Sequence, residues 1–435
     1  MSDRILEVLM DGRLMGELHM SQSGSLSYEY DKAYASEQGA IPLSLSMPLG
    51  RSRYGNRVIR PFLEGLLPDN PLAIQAMSAR YQVSAQSPFA LLEHVGHDVA
   101  GALQIIRPGE KSEDSVADRT TMTPIDDHDL SSMLHDILDV YGSGATWDGS
   151  QRMSLAGAQA KLALTRTPDG RWAVPQRGTP STCIVKPLPI GTTSFPDADI
   201  VELFCQKVVA AIGLPAARST LWTSPDETIR AVVSERYDRE RKGDGTYRRL
   251  HQEDLCQAMS VTPTRKYQRQ DGGPGIGQIG RLFATRLKPG SMNDVSRSFL
   301  RAVTTNAALL NTDAHAKNYS LMLSGTAVTL APLYDVVSIG AFLREDEHPL
   351  FPMRLGTTFD LEQVFPETLV ASARSLGIAR GEAADIVDDT LSSLDVQLDS
   401  IAEDMADVDV DGILSRTVEA IRRHSALLAS IHHGR

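Results

Sequence analysis

Residues 311–320 read N-T-D-A-H-A-K-N-Y-S and place a carboxylate (Asp313), an imidazole (His315), an ammonium (Lys317) and two amides (Asn311, Asn318) within eight positions. Asp313 and Asn318 have the D-x-x-x-x-N spacing of phosphoryl-transfer loops. In those loops the acid faces an attacking hydroxyl and the amide oxygen holds a metal ion. A further acid, Asp335, follows in A-P-L-Y-D-V-V-S. Phosphoryl transfer asks a protein for in-line positioning and neutralisation of phosphate charge. A hard cation such as Mg2+ takes oxygen ligands, which Asn318 and Asp335 supply. Asp313 is left to face the hydroxyl, and Lys317 would steady the transferring group. His315 by itself reads as a loop hydrogen-bonding residue with no acid–base role.

Such chemistry also needs groups for a nucleotide, and the first half offers them. Lys186 sits in the apolar run C-I-V-K-P, where an unpaired ammonium would be costly to bury, and Glu202 follows one helix later as a suitable partner. The small-residue stretch S-L-A-G-A-Q-A-K, 154–161, has backbone amides suited to cradling phosphates, with Lys161 at its end. The backbone of Glu235, Arg236 and Tyr237, at the end of a strand, would meet an adenine. Each piece has a plainer reading. D-x-x-x-x-N arises by chance, Lys186 suits an edge strand reaching water, and Asp335 after a proline can begin a turn. Their order along the chain favours the chemical reading: small-residue loop, strand lysine, helix glutamate, strand, helices, Asp/Asn loop, hairpin, aspartate.

The elements that must position these residues follow from pattern. I-L-E-V-L-M-D-G-R-L-M-G-E-L-H-M predicts a hairpin about its Asp-Gly turn. P-F-L-E-G-L-L-P-D-N-P-L-A-I-Q-A-M-S-A-R-Y predicts helix, turn and helix, and residues 87–106 a helix, a glycine turn and a strand. A polar stretch predicts a linker over 107–125. After it come an amphipathic helix in D-L-S-S-M-L-H-D-I-L-D-V-Y and several strands. The helix D-I-V-E-L-F-C-Q-K-V-V-A-A-I-G-L would bury Ile200, Leu203, Phe204, Val208 and Ala211. From about 252 the pattern is helical, except for a hairpin in Y-S-L-M-L-S-G-T-A-V-T-L-A-P-L-Y-D. Phe299, Val303, Ala307 and Leu310 would line the buried face of the helix that delivers Asp313. Residues 381–411 carry eleven acids and no bases. Leu394, Leu398, Ile401 and Met405 keep helical spacing there, which predicts a helix with a solvated acidic face. G-P-G-I-G-Q-I-G at residues 273–280 contains G-x-G-x-x-G but follows a polar loop, which argues against a dinucleotide site.

The chain has 435 residues, more than one core usually serves, so at least two units are expected. It carries 43 Lys and Arg against 55 Asp and Glu, a net charge of −12, so strong stand-alone binding to nucleic acid is not expected. The basic clusters R-E-R-K (239–242) and R-R (248–249) have two readings, a face along DNA within a complex and solvated loop charge, of which the second is favoured. Three scattered cysteines, Cys183, Cys205 and Cys256, suit reduced packed thiols and a cytoplasmic setting. No signal peptide or membrane span is expected.

P-L-S-L-S-M-P-L, F-L-E-G-L-L-P-D-N-P, F-A-L-L-E-H-V-G-H-D-V-A-G-A-L, S-L-A-G-A-Q-A-K, I-V-K-P-L-P-I-G, E-R-Y-D-R, L-H-Q-E-D-L-C-Q-A, K-Y-Q-R-Q-D-G-G-P-G-I, N-T-D-A-H-A-K-N and L-A-P-L-Y-D-V-V-S run in order over nearly the whole chain. In these the sequence resembles the HipA family of serine/threonine protein kinases, toxins of bacterial toxin–antitoxin pairs. The resemblance implies an α+β, bilobal protein-kinase-like fold with a strand-rich N-lobe, a helical C-lobe and an added N-terminal subdomain. The expected division is 1–106 for that subdomain, 107–125 linker, 126–251 N-lobe and 252–435 C-lobe. Asp313 would be the catalytic aspartate, with Lys317 beside it, and Asn318 and Asp335 the Mg2+ ligands. ATP would meet Ala156, Gly157, Ala158, Gln159, Lys161, Lys186, Glu202, Glu235, Arg236, Tyr237, His315, Asn318, Tyr334 and Asp335.

The resemblance further implies that Ser154 is autophosphorylated, adding a charge of about −1.5 to −2 that would repel ATP and silence the kinase. The implied substrate is an aminoacyl-tRNA synthetase, typically the glutamyl enzyme. The implied partner is a HipB-like helix-turn-helix antitoxin, through which operator DNA is bound. Ala160 and Leu162 depart from the Glu and Thr of family members and so bear on loop dynamics and substrate choice. Two other readings stand beside this one: a catalytically weak kinase-fold co-repressor, and a small-molecule kinase of aminoglycoside or choline type. The family-specific first unit weighs against the latter.

Overall fold

The computed structural model describes residues 4–110, 122–143, 157–167, 169–176, 178–191, 195–325, 327–344, 346–409 and 411–429. Two compact units emerge. The first takes 1–189, 222–264 and 322–326, and the second takes 190–221, 265–321 and 327–435. Leu6, Leu18, Phe62 and Leu91 belong to one buried cluster with Leu130, Ile137, Leu164, Val185 and Val233.

In the first unit Arg4–Met10 and Arg13–Met20 form the expected hairpin. Asp11 and Gly12 both take positive φ, 47° and 80°, the pair of left-handed residues that a type I′ turn requires. Leu26–Tyr30 and Arg53–Gly55 extend this antiparallel sheet on one side and Leu103–Ile106 on the other. Helices Asn56–Glu64, Pro71–Tyr81 and Pro88–Val95 follow the predicted order. Asn70 caps the second, its side chain accepting from Leu72 N and Ala73 N, and Ser87 caps the third, accepting from Ala90 N. A second antiparallel set runs Ile229–Glu235, Cys183–Pro189, Leu162–Arg166, Trp172–Pro175 and Met122–Ile125. Met122–Ile125 falls inside the stretch read as linker. It is a half-exposed edge strand containing Pro124, held by main-chain pairing with Ile125 alone set against the core, so it has no alternating period to mark it.

The basic clusters are also not simply solvated. Arg239–Arg241 and Tyr247–Arg249 pair as a hairpin with Arg239 opposite Arg249. Alternation turns Arg239 and Arg249 inward, while Arg241, Lys242 and Arg248 stay exposed. Arg236, Arg239 and Arg249 surround Asp98, with Asp238 beside the first two. Arg236 Nη1 also donates to Ser181 Oγ and its Nη2 to Val99 O. The arginines hold the buried Asp238 carboxyl down at about 2 despite desolvation. This knot fastens the turn Gly96–Asp98 to the strand that ends at Glu235.

In the second unit the long helix Pro289–Ala308 buries Phe299, Val303 and Ala307 as its pattern predicts. It packs against Arg380–Asp404, the acidic helix, whose Leu394 and Leu398 face inward. Helix Ala198–Ala211 packs on Arg380–Asp404 and Ile413–Ala429. Its Ile200, Leu203, Phe204 and Val208 are buried, but Ala211, its last residue, is exposed. Gly280, in helix Ile276–Arg286, lies so close to Ser375 that a Cβ there would stand 1.9 Å from the Ser375 carbonyl oxygen. The G-x-G-x-x-G run thus serves helix packing. Strands Leu350–Leu355 and Thr358–Asp360 form a small hairpin in a region read as helical; their short, proline-bearing apolar run has no period of its own. All three cysteines are buried and reduced. Among the described residues no helix is long and apolar enough to cross a membrane.

Candidate active site

The sequence-derived site residues fall into two sets, one in each unit. Ser154 and Ala156 lie outside the described residues. In the first unit Gly157 has φ +118°, a conformation that side chains rarely adopt, and a Cβ there would stand 2.5 Å from Lys161 Nζ. The loop backbone is fixed from outside by Asp69 N, which donates to Gly157 O at 2.9 Å. The buried Lys161 thus holds its ammonium directly over a glycine backbone, while Ala158 and Gln159 are exposed beside it. Lys186 lies on an inner strand, opposite Val232, and is only 5% exposed, so it is not an edge lysine reaching water. Glu235 is exposed at the end of the neighbouring strand, and Tyr237 donates a short hydrogen bond to Gln252 Oε1. The Arg236 side chain is committed to the Asp98–Asp238 knot, and its main chain is paired as well: its N–H donates to Thr182 O at 2.8 Å and its carbonyl accepts from Arg239 N at 3.1 Å.

In the second unit Glu202 is buried on helix Ala198–Ala211. The loop after Pro289–Ala308 is shaped by amides. Leu310 turns the chain at φ +57°, and Asn311 N donates to Asn306 O at 2.9 Å. Asn311 Nδ2 donates to Asn306 Oδ1 at 2.7 Å, and Asn311 Oδ1 accepts from Asp313 N at 3.1 Å. Asn306 is itself tied to Ala302 O and Tyr319 Oη. This buried ladder of amides fixes the backbone from which Asp313 projects, and the Asp313 side chain remains 54% exposed. His315 N donates to Asp313 O at 2.7 Å and Asn318 Nδ2 donates to the same oxygen at 2.7 Å. The D-x-x-x-x-N pair is therefore one closed loop. That bond uses the Asn318 nitrogen, so the side-chain group left to serve a hard cation is its carbonyl oxygen. Lys317 is buried at 6%. Its carbonyl accepts from Tyr334 Oη at 2.7 Å, and Tyr334 Oη also meets Ser320 Oγ at 2.7 Å.

Asp335 follows Tyr334 with φ +53°, an uncommon conformation for a residue with a side chain. Its carbonyl accepts from Asn311 Nδ2 at 3.5 Å, which brings the second acid back to the first loop. Two main-chain bonds place that return: Leu333 N to Pro215 O and Ala217 N to Leu333 O, both 2.8 Å. Asp313, Lys317, Asn318, Tyr334 and Asp335 are thus brought together by a shared set of hydrogen bonds. The oxygen donors present suit Mg2+, and an exposed carboxylate next to them suits a hydroxyl acceptor.

Sequence reasoning missed two groups. Asn306 could have been found as a polar residue on an otherwise apolar helix face, five positions before Asn311. Tyr267 lies 46 positions from the acid it touches: its phenol donates a short hydrogen bond to Asp313 Oδ1, and no local spacing signals that.

The fold is of the α+β protein-kinase-like class with an added N-terminal subdomain. Residues 6–106 match the HipA N-terminal domain and residues 153–398 the HipA-like C-terminal domain. The chain belongs to the HipA family. It is 34% identical over 416 residues to the putative kinase Y4mE of Sinorhizobium fredii, covering 94% of this chain and 95% of that one. It is 28% identical over 385 residues to the serine/threonine-protein kinase toxin HipA of Shewanella oneidensis, covering 86% and 84%. Among solved structures it is similar to the complex of Shewanella oneidensis HipA, HipB and operator DNA. The TM-score is 0.79 at 23% identity, over 99% of this chain and 100% of the matched one.

Proposed function

We propose that this protein is a toxin kinase that uses ATP and Mg2+ to phosphorylate a serine of a translation component, an aminoacyl-tRNA synthetase such as the glutamyl enzyme, and so arrests growth. The observation that carries the reading is the closed Asp313–Asn318 loop, with Asp335 tied back to it through Asn311. Asn318 and Asp335 would hold Mg2+, which would supply neutralisation of phosphate charge. Asp313 would orient the serine hydroxyl and take its proton, a contribution of roughly 10²–10⁴-fold for a positioned base. Lys317 would stabilise the transferring group. The proposed nucleotide contacts are Ala156, Gly157, Ala158, Gln159, Lys161, Lys186, Glu235, Arg236 and Tyr237 in the first unit. In the second they are Glu202, His315, Asn318, Tyr334 and Asp335. The proposed domain division keeps residues 1–106 as the HipA subdomain, 107–125 as linker, 126–251 as N-lobe and 252–435 as C-lobe.

The family resemblance supports three finer elements of this reading: silencing by autophosphorylation at Ser154, neutralisation by a HipB-like antitoxin, and operator DNA bound mainly through that antitoxin. The net charge of −12 agrees with DNA binding through a partner. Reduced cysteines agree with a cytoplasmic setting. Ala160 and Leu162 in the phosphate loop leave open a synthetase other than the glutamyl one. Phosphoproteomics after brief expression of the chain and of its Asp313→Asn variant tests the proposal. A phosphoserine on a synthetase, present with the first and absent with the second, is expected; identical phosphoproteomes would remove it.

A further inference from the structure

Tyr267 stands at the start of the short helix Gln268–Asp271, in a segment whose shape is tightly determined. Tyr267 O accepts from Asp271 N at 3.2 Å and from Gly273 N at 2.9 Å. Arg265 closes the same turn, donating to Asp271 O at 3.1 Å and Gly272 O at 3.2 Å. Gly272 takes φ +65°, a conformation glycine adopts without strain, and a Cβ on Gly273 would lie 2.0 Å from Arg265 O, so Gly273 is not replaceable without rebuilding the turn. Gln268 Oε1 accepts from Arg354 N at 2.8 Å and anchors the turn to strand Leu350–Leu355. Gly275 permits that Gln268 side chain to pass, since a Cβ there would stand 2.4 Å from it.

The turn delivers one side chain. The Tyr267 ring stands edge-on to His315, centroids 4.8 Å apart at 83°, and its hydroxyl donates to Asp313 Oδ1. His315 is buried and its Nε2 lies 3.8 Å from the same carboxylate oxygen. The Asp313 backbone is already fixed by Asn311 and Asn318. The phenol restrains rotation of the half-exposed carboxylate. A hydrogen bond to a charged acceptor is among the stronger ones available for that purpose.

We propose that Tyr267 is a positioning residue for phosphoryl transfer: by holding Oδ1 of Asp313, its hydroxyl sets the direction in which the carboxylate meets the acceptor serine. This rests on the kinase reading above. It assigns a use to the K-Y-Q-R-Q-D-G-G-P-G-I segment, whose glycines build the turn that aims the tyrosine. Tyr267 takes no proton and touches no nucleotide in this account; it acts through Asp313.

The test is Tyr267→Phe in the full chain, which keeps the ring against His315 and removes only the hydroxyl. Initial rates of serine phosphorylation are measured against ATP concentration, with ATP–Mg affinity by calorimetry and the thermal midpoint in parallel. The expected result is a kcat lower by about tenfold to a hundredfold, the loss of one charge-assisted hydrogen bond, with KM for ATP, calorimetric affinity and midpoint unchanged. Unchanged or raised kcat overturns the inference while leaving the kinase reading intact. A kcat loss accompanied by equal losses of affinity or midpoint also overturns it, since that marks a merely structural role. Absence of transfer by the unsubstituted chain would instead overturn the kinase reading, and this inference with it.

Discussion

The side-chain amide of Asn318 donates to the main-chain carbonyl of Asp313 at 2.7 Å. The two residues of the D-x-x-x-x-N pattern therefore form one mechanical unit, in which the proposed metal ligand braces the backbone of the proposed base. Asn318→Asp keeps an oxygen ligand but loses the donor and sets a carboxylate against that carbonyl. Its expected effect is at least a tenfold fall in kcat, roughly the worth of one such hydrogen bond, even at saturating Mg2+. A Mg2+ titration of initial rates checks this. Full recovery at high Mg2+ would show that Asn318 acts as a ligand alone.

Gly157 and Lys161 make a similarly direct pair in the first unit. At φ +118°, with Lys161 Nζ 2.5 Å from where a Cβ would be, Gly157→Ala must strain the loop and push the ammonium away. ATP affinity should fall about tenfold for the loss of one charge-assisted contact. Calorimetric titration with ATP–Mg is the check; wild-type affinity would show that Lys161 does not serve the nucleotide.

The charged knot around Asp98 should dominate the stability of its unit. Arg236→Met leaves Asp98 and Asp238 short of a buried counter-charge, and removing one member of such a set costs about 3–5 kcal/mol. Arg248→Met breaks an exposed pair with Glu240, both side chains about half accessible, and should cost under about 1 kcal/mol. Denaturant unfolding of the two variants compares them directly; equal midpoints would contradict the assignment of the knot as the fastener.

Glu253 confers a pH dependence. Burial pushes its carboxyl up from an ordinary value of 4.5 to about 8, against the opposing hydrogen bonds from Leu45 N and Ser44. Between those values the folded chain holds a proton that the unfolded chain has released. This contribution is fully present below about 4.5 and is lost as pH rises to about 8, at most ~1.4 kcal/mol per pH unit. Glu253→Gln should flatten the stability profile over that window, as followed by unfolding at several pH values. An unchanged slope would assign the dependence to other groups.

Much of this architecture was legible from the chain. The hairpin at Asp11–Gly12, the capped helices after Asn70 and Ser87, and the buried face of Pro289–Ala308 follow from turn chemistry and period. The spacing of Asp313 and Asn318 and the return to Asp335 could be read because local chemistry demands those residue types. Long-range pairings left no trace in local pattern. Tyr267 reaches Asp313 through a turn built by glycines whose partners lie elsewhere, and Arg239 and Arg249 look like surface charge until Asp98 is placed between them. Edge strand Met122–Ile125 was hidden because it is four residues long, contains a proline and is held largely by main-chain pairing, which leaves no period in the side chains.

The central claim is that Asp313, held by its amide ladder, activates a hydroxyl for attack on ATP. The most direct measurement incubates purified chain with γ-labelled ATP, Mg2+ and a cell lysate, beside the Asp313→Asn variant shown by calorimetry to bind ATP normally. The account predicts label on serine of a protein with the first and a loss of at least about 10²-fold with the second. Label appearing equally with both, or only in a small molecule, would contradict it.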